Sequence, residues 1–347
     1  MLQIPDDADL PLNVNGPTYT SRQDHDGIAL HRGAKGMVRY SWLAAAGAAI
    51  VLSACGGDQI AGQAATRLPL VVAHRGGTAD APENTLEAIR LAVTNKADAM
   101  WLTVQLSKDG EPVLFRPVNL VDQTGVPGAV ADFTAEQLAQ MNAGGNFKDA
   151  NGEYPYRLRP IGIPTLRDAL RAIPSEMPVV LDMKALPAEP QARAVARLLS
   201  EENAWSRVTI YSTEADYQQA FSGYPEATLF ESRDATRDRL VKVLLHEGCE
   251  SVPTVPEWTA FELHRRLTVT EKFTLGEGRS NVEGTMWTPG TVACFRKQAP
   301  VKILAIAVNN ADDYRTAACL GVDAVLADSP KAMATIKVEA KTFKCSI

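Results

Sequence analysis

The chain lacks the marks of a nucleic-acid binder. Its 35 Lys and Arg residues are outnumbered by 41 Asp and Glu, giving a net charge of -6. No basic run or aromatic-basic interleaving offers a footprint for a polyanion. The apolar run Leu43 to Leu52 is too short to span a bilayer comfortably. There are only five cysteines, and Cys249, Cys294, Cys319 and Cys345 show no close metal-site spacing, which argues against zinc. What the chain does have is 46% hydrophobic residues over 347 positions, enough to bury a large core in one big domain or two smaller ones.

Residues 1–36 are polar, dotted with Gly and Pro and without periodicity, as expected of a disordered or untranslated extension. Met37-Val38-Arg39-Tyr40-Ser41-Trp42 and the apolar run after it have the layout of an export signal over 37–54, with translation starting at Met37. That signal ends in Leu52-Ser53-Ala54-Cys55, which resembles a bacterial lipobox. The resemblance implies lipid on Cys55 and a cell-envelope location. Gly56 in place of an aspartate leans towards the outer membrane, facing the periplasm. Residues 55–68 then read as lipidated cysteine and tether. In an exported, disulfide-permissive compartment the four remaining cysteines allow three pairings, all three of which stay open, as do buried free thiols.

From Pro69 onward apolar runs alternate with helical patterns up to about residue 336, followed by a short tail over 337–347. The organising stretch is Leu70-Val71-Val72-Ala73-His74-Arg75-Gly76-Gly77, followed by Pro82-Glu83-Asn84-Thr85. It reads as a buried strand, a turn and a capped helix. An imidazole and a guanidinium at a strand's carboxyl end make an anion site, with Gly76 and Gly77 letting a ligand approach the backbone. The blander alternative is a core histidine before a surface arginine. Glu83 reads as support for the helix start, and Asp328-Ser329-Pro330 as a strand-end turn, with Asp328 facing the pocket mouth as the alternative. Thr134 with Gln137 forms a capping box, and Thr165 caps a further helix. Later segments read as a weak strand over 251–255, a helix over 257–267 carrying His264, a charged loop over 270–284 and a helix over 289–297. Repeated strand-helix alternation favours a parallel barrel over an open sheet.

Several pieces together resemble one family. Ala73-His74-Arg75-Gly76, Pro82-Glu83-Asn84-Thr85, Lys108-Asp109-Gly110, Ile163-Pro164-Thr165-Leu166, Leu181-Asp182-Met183-Lys184 and Gly321-Val322-Asp323-Ala324 through Asp328-Ser329-Pro330 stand in the order and spacing seen in glycerophosphodiester phosphodiesterases. The resemblance implies an α/β fold, a (β/α)8 TIM barrel over 69–336, with a small insertion after the second strand at residues 107–161. It implies a site at the carboxyl ends of the strands, a glycerophosphodiester or phospholipid headgroup as ligand, and a divalent cation, Ca or Mg, as cofactor. In that family a Glu-x-Asp pair and a further Glu hold the cation, while two histidines carry protons.

His74 matches the first histidine and Arg75 its phosphate-contacting arginine. The Glu-x-Asp positions hold Trp101 and Thr103, the third ligand position holds Asp182 beside Lys184, and the second histidine is replaced by Arg116. One aspartate is a poor donor set for a hard cation, so no tightly bound cofactor is expected. Arg116 cannot exchange protons; it either joins Arg75 and Lys184 as a phosphate contact or points to solvent from a relaxed loop. The reading is an exported lipoprotein of this family with metal-dependent hydrolysis lost or strongly weakened. The alternatives are a metal-independent phosphodiesterase using His74 with Arg75 and Arg116, and an envelope scaffold with a vestigial pocket.

Overall fold

The computed structural model describes residues 67–255 and 257–345. The export signal expected at 37–54, the extension before it and Cys55 lie outside the described residues. Among those described, no helix is long and apolar enough to cross a membrane.

Eight parallel strands make the barrel: β1 (Leu70–His74), β2 (Ala99–Leu106), β4 (Val179–Met183), β5 (Val208–Tyr211), β6 (Thr228–Leu229), β7 (Trp258–Glu262), β10 (Lys302–Ile306) and β11 (Ala324–Ala327). Their order in the sheet is β6-β5-β4-β2-β1-β11-β10-β7. A parallel bridge between Phe230 and Trp258 brings the two ends of that order together, which nearly closes the cylinder. The remaining strands are β3 (Pro112–Leu114), antiparallel to β2, and the hairpin β8 (His264–Phe273) with β9 (Gly276–Thr285). The expected TIM barrel is the observed fold.

Alternation along each strand separates two apolar layers. Val72, Ala99, Trp101, Val180, Tyr211 and Phe230 pack in the barrel interior. Their neighbours, such as Met100, Leu102 and Leu181, pack outward against α1 (Leu86–Thr94), α4 (Leu166–Ala172) and α5 (Ala188–Glu201). Helix α1 forms because Ile89 and Ala92 recur on one face and Thr85 caps its start, the Thr85 hydroxyl accepting from Ala88 N at 3.2 Å. The insertion after β2 carries α2 (Val121–Thr124) and α3 (Ala135–Ala139) over a small core of its own that includes Val113, Phe115 and Leu138. Its Thr134–Gln137 capping box forms as expected. The remaining helices are α6 (Asp216–Ala220), α7 (Arg233–Leu244), α8 (Pro289–Phe295), α9 (Ala311–Cys319) and α10 (Pro330–Glu339). Of the three pairings left open, the structure makes Cys249–Cys294 and Cys319–Cys345.

Three expectations fail in the second half. Residues 257–267 are not helical: β7 occupies Trp258–Glu262 and His264 begins β8. A parallel strand covered on both faces has few polar positions to betray its period of two, and Trp258 with Phe261 at a spacing of three mimics a helix. The loop expected over 270–284 is mostly the β8–β9 hairpin, whose Thr- and Val-bearing strands turn between residues 273 and 276. The weak strand over 251–255 is absent, because Pro253 removes a ladder donor.

Candidate functional site

The carboxyl ends of β1, β2, β4, β5, β7 and β11 bring together most of the polar groups singled out from the sequence. His74 ends β1 beside Trp101, its register partner on β2. Thr103 stands opposite Asp182, which in turn stands opposite Tyr211.

On the β1 side the groups are paired. The His74 Nδ1 lies 2.7 Å from Asp328 Oδ1, and the other Asp328 oxygen accepts from Asn309 Nδ2 at 2.7 Å. An ionised Asp328 makes Nδ1 the donor and leaves Nε2 as the proton-exchanging atom. Burial pushes the Asp328 carboxyl up, but hydrogen bonding and charge from His74, with help from Thr78 and Asn309, outweigh it, so the group lies below its ordinary value. Asp328 is therefore part of the site and not merely a turn residue. Arg75 Nη1 donates to Glu83 at 2.7 Å, and Gln123 Nε2 donates to the other Glu83 oxygen at 2.8 Å. Glu83 thus positions the arginine, a role beyond support of the helix start.

The turn after His74 is left-handed. Arg75, Gly76 and Gly77 have φ of 50°, 83° and 107°. A side chain on Gly77 would bring its Cβ to 2.9 Å from Pro330, and one on Gly76 to 3.0 Å from Ala88. The two glycines are required where the turn packs on α10 and α1, a packing reason the sequence did not announce. Arg75 holds its positive φ without that freedom, a local strain of the kind that collects at functional sites.

On the β2 side the groups are poorly paired. Trp101 is 3% exposed, its ring 4.7 Å from Tyr211 and 6.1 Å from Phe230. Thr103 is fully buried with its hydroxyl unpartnered, and Asn84 spends its carbonyl on Thr103 N at 3.0 Å while its amide nitrogen is unpartnered. Asp182 Oδ1 lies 3.3 Å from Lys184 Nζ, yet the contact lacks hydrogen-bond geometry and the oxygen is unpartnered in that sense. Lys184 donates instead to Thr213 at 3.2 Å. Arg116 loses basicity through burial, partly offset by the nearby Asp182 carboxylate. All buried side-chain atoms without a hydrogen-bond partner among the described residues belong to Arg75, Asn84, Thr103, Gln123 and Asp182. They form one polar seam running from the turn after β1 across β2 to β4.

At the positions that the resemblance gives for metal ligands, an indole, a hydroxyl and one carboxylate are present. Among the described residues no group of three or more His, Cys, Asp or Glu could hold a metal ion. His264, expected on a helix away from the strand ends, instead follows β7 and lies 3.2 Å from Asp313 at the start of α9. Local sequence could not have announced Asp328 and Asn309 as partners of His74, since they stand more than two hundred residues away and meet only when the barrel closes.

The sequence profile of the glycerophosphoryl diester phosphodiesterase family matches residues 74–332. The chain belongs to that family. A curated relative, the uncharacterized protein MT2337 of Mycobacterium tuberculosis, is 45% identical over 298 residues, covering 85% of this chain and 98% of the relative. The crystal structure of the glycerophosphoryl diester phosphodiesterase domain of Rv2277c, from the same species, is 46% identical and covers 78% of this chain and all of that one, with a TM-score of 0.74. An Oleispira antarctica phosphodiesterase, solved with the product sn-glycerol-3-phosphate, shares the fold at 21% identity and a TM-score of 0.57, covering 78% of this chain and 97% of that one. The family reading from the sequence therefore stands, and with it the barrel.

Proposed function

We propose that this family member binds the phosphate of glycerophosphodiesters and their phosphomonoester products with side-chain cations in place of a divalent metal, its metal-dependent hydrolysis being lost. The observation that carries the reading is Trp101, buried at 3% against Tyr211 where the family resemblance asks for a carboxylate. Calcium takes six to eight oxygen ligands, and magnesium demands near-ideal octahedral oxygen geometry. Asp182 and the Thr103 hydroxyl are a poor match for either, so no step is derived through a metal. The positive charge at this end of the site comes from Arg116 and Lys184, both near Asp182. Arg75 is held by Glu83 for bidentate recognition of a phosphate. The glycerol-3-phosphate found in the Oleispira structure supports this choice of ligand.

Calorimetric titration of the purified chain with sn-glycerol-3-phosphate and glycerophosphocholine tests the reading. Binding that EDTA leaves unchanged, that falls at least roughly ten-fold in Arg116→Gln or Lys184→Gln, and that is unaccompanied by release of choline is the expected result. Hydrolysis that needs calcium or magnesium and stops with EDTA overturns it. A second reading, metal-independent hydrolysis, rests on the His74–Asp328–Asn309 array, which keeps one proton-exchanging nitrogen in place. Turnover insensitive to EDTA and abolished by His74→Ala would establish that alternative.

The lipid anchor on Cys55 and the envelope location belong to the same proposal, on the strength of Leu52-Ser53-Ala54-Cys55. Labelling with a fatty-acid analogue should mark the wild type and miss Cys55→Ser, which should leave the membrane fraction. Equal labelling of both contradicts the anchor.

A further inference from the structure

A second charged cluster stands across the mouth from the seam, on elements that carry none of the family motifs. Glu262 is the last residue of β7, and it faces the barrel axis two positions after Ala260 of the interior layer. Its two oxygens accept from Arg233 Nη2 at 2.7 and 2.8 Å, and one of them accepts from Arg265 Nη1 at 2.7 Å. Arg233 enters from the start of α7, just after β6, and Arg265 from the base of β8. Both guanidinium groups lie over the Phe261 ring, at 4.4 and 5.5 Å. The Nη1 of Arg233 donates to the Tyr211 hydroxyl at 3.1 Å. Tyr211 touches Trp101, so a continuous line of contacts joins this cluster to the seam where phosphate is proposed to bind.

The charges do not balance. Among the described residues of this cluster two guanidinium groups share one carboxylate; Asp182, which also acts on Tyr211, has Arg116 and Lys184 beside it, and burial pushes the Tyr211 phenol up to about 12, so the phenol adds no negative charge near neutrality. Arg233 and Arg265 are 15% and 29% exposed at the side chain, and Glu262 is 21% exposed. The surplus positive charge is thus only partly screened by water. A cationic group placed here meets repulsion, and an anionic group finds donors in fixed fork geometry.

We infer that Arg233 and Arg265, bridged by Glu262, form the subsite for the alcohol arm of the bound glycerophosphodiester, and that this subsite selects arms bearing an anionic group over arms bearing a quaternary ammonium. The inference rests on the phosphate-binding reading above and deepens it by naming the headgroup class.

Three probes of graded arm charge test it by calorimetry on the purified chain: glycerophosphoinositol 4-phosphate, glycerophosphoinositol and glycerophosphocholine. Free sn-glycerol-3-phosphate serves as the armless reference. The phosphorylated inositol arm is expected to bind roughly ten-fold tighter than the unphosphorylated one, the scale of one charge-assisted contact, and the choline arm weakest of the three. Raising the salt should narrow the spread. Arg265→Gln, at the more exposed of the two arginines, should bring the ratio between the two inositol probes to within about two-fold. Arg233→Gln should do the same if the variant folds, as checked by its circular dichroism. Equal affinity for the two inositol probes, or a preference that survives Arg265→Gln, overturns the subsite while leaving the phosphate pocket standing. Failure of all four compounds to bind, the armless one included, overturns the phosphate pocket and the subsite together.

Discussion

The two sides of the barrel mouth have the same architecture and differ in how their charged groups are paired. Around β1, His74 has Asp328, Asp328 has Asn309, and Arg75 has Glu83, itself held by Gln123. Around β2 and β4, the Thr103 hydroxyl, the Asn84 amide nitrogen and Asp182 Oδ1 are buried without hydrogen-bond partners. Buried polar groups are normally paired, and exceptions call for a physical explanation. The β1 side pairs its charged groups within the protein and leaves over only Arg75 Nε and Gln123 Oε1; the β2 side has filled part of its space with an aromatic ring and left atoms of Thr103, Asn84 and Asp182 without hydrogen-bond partners. A ligand that supplies both donors and acceptors, as a glycerol phosphate does, would complete the second side.

The largest expected effect comes from Trp101, because it fills that side. Trp101→Ala should destabilise the fold by about 3–5 kcal/mol through lost burial and a residual cavity, read from chemical denaturation at neutral pH. His74→Ala, at a side chain 25% exposed, should cost clearly less. Equal losses would show that Trp101 is no more a packing element than His74, and the contrast between the two sides would fail.

Asp328 offers the next effect, on the paired side. Asp328→Ala should cost about 1.5–3 kcal/mol at pH 7, since it removes hydrogen bonds to a charged group. Its folded carboxyl lies below the ordinary 3.8. The contribution is therefore present above that ordinary value and is lost as pH falls through the folded one. The stability gap between wild type and variant should be widest near neutrality and should shrink steadily below about pH 4. A gap that grows on acidification would contradict the assignment of Asp328 as an ionised partner of His74.

The same division explains how much could be seen in the sequence. Thr134 and Gln137 make a capping box within four residues, and Thr85 and Thr165 cap the helices that directly follow them, so local chemistry was sufficient for all three. His74 and Arg75 were legible because they end an apolar run, and Trp101, Thr103, Asp182 and Lys184 because the family resemblance points to their positions. Asp328 does stand in the turn after β11, but its pairing with His74 depends on β11 lying beside β1, a contact made when the last strand closes on the first. Arg233, Glu262 and Arg265 were invisible for a related reason. The segment carrying Glu262 and Arg265 reads as helix until its pairing with β10 fixes it as a strand. Propensity and period act over a few residues; barrel closure acts over the whole chain.

The smallest effect separates the two sides most cleanly, because one substitution can be made on each. Thr85 and Thr103 are both fully buried. The Thr85 hydroxyl donates to Pro82 O at 2.7 Å and accepts from Ala88 N at 3.2 Å. The Thr103 hydroxyl has no such partners. Valine has nearly the shape of threonine, so each change exchanges a hydroxyl for a methyl with little change in volume. Thr85→Val should lose about 1–2 kcal/mol, the worth of a cap whose backbone partners are then orphaned. Thr103→Val removes a polar group that burial disfavours, so it should be neutral or stabilising by up to about 1 kcal/mol. In the presence of sn-glycerol-3-phosphate the sign should turn, with Thr103→Val gaining less ligand-induced stabilisation than wild type. If Thr103→Val proves as damaging as Thr85→Val without ligand, the Thr103 hydroxyl is satisfied within the protein and the seam is not waiting for a ligand at that point. Should the apo protein tolerate the change and the ligand lose its effect, the hydroxyl belongs to the binding site.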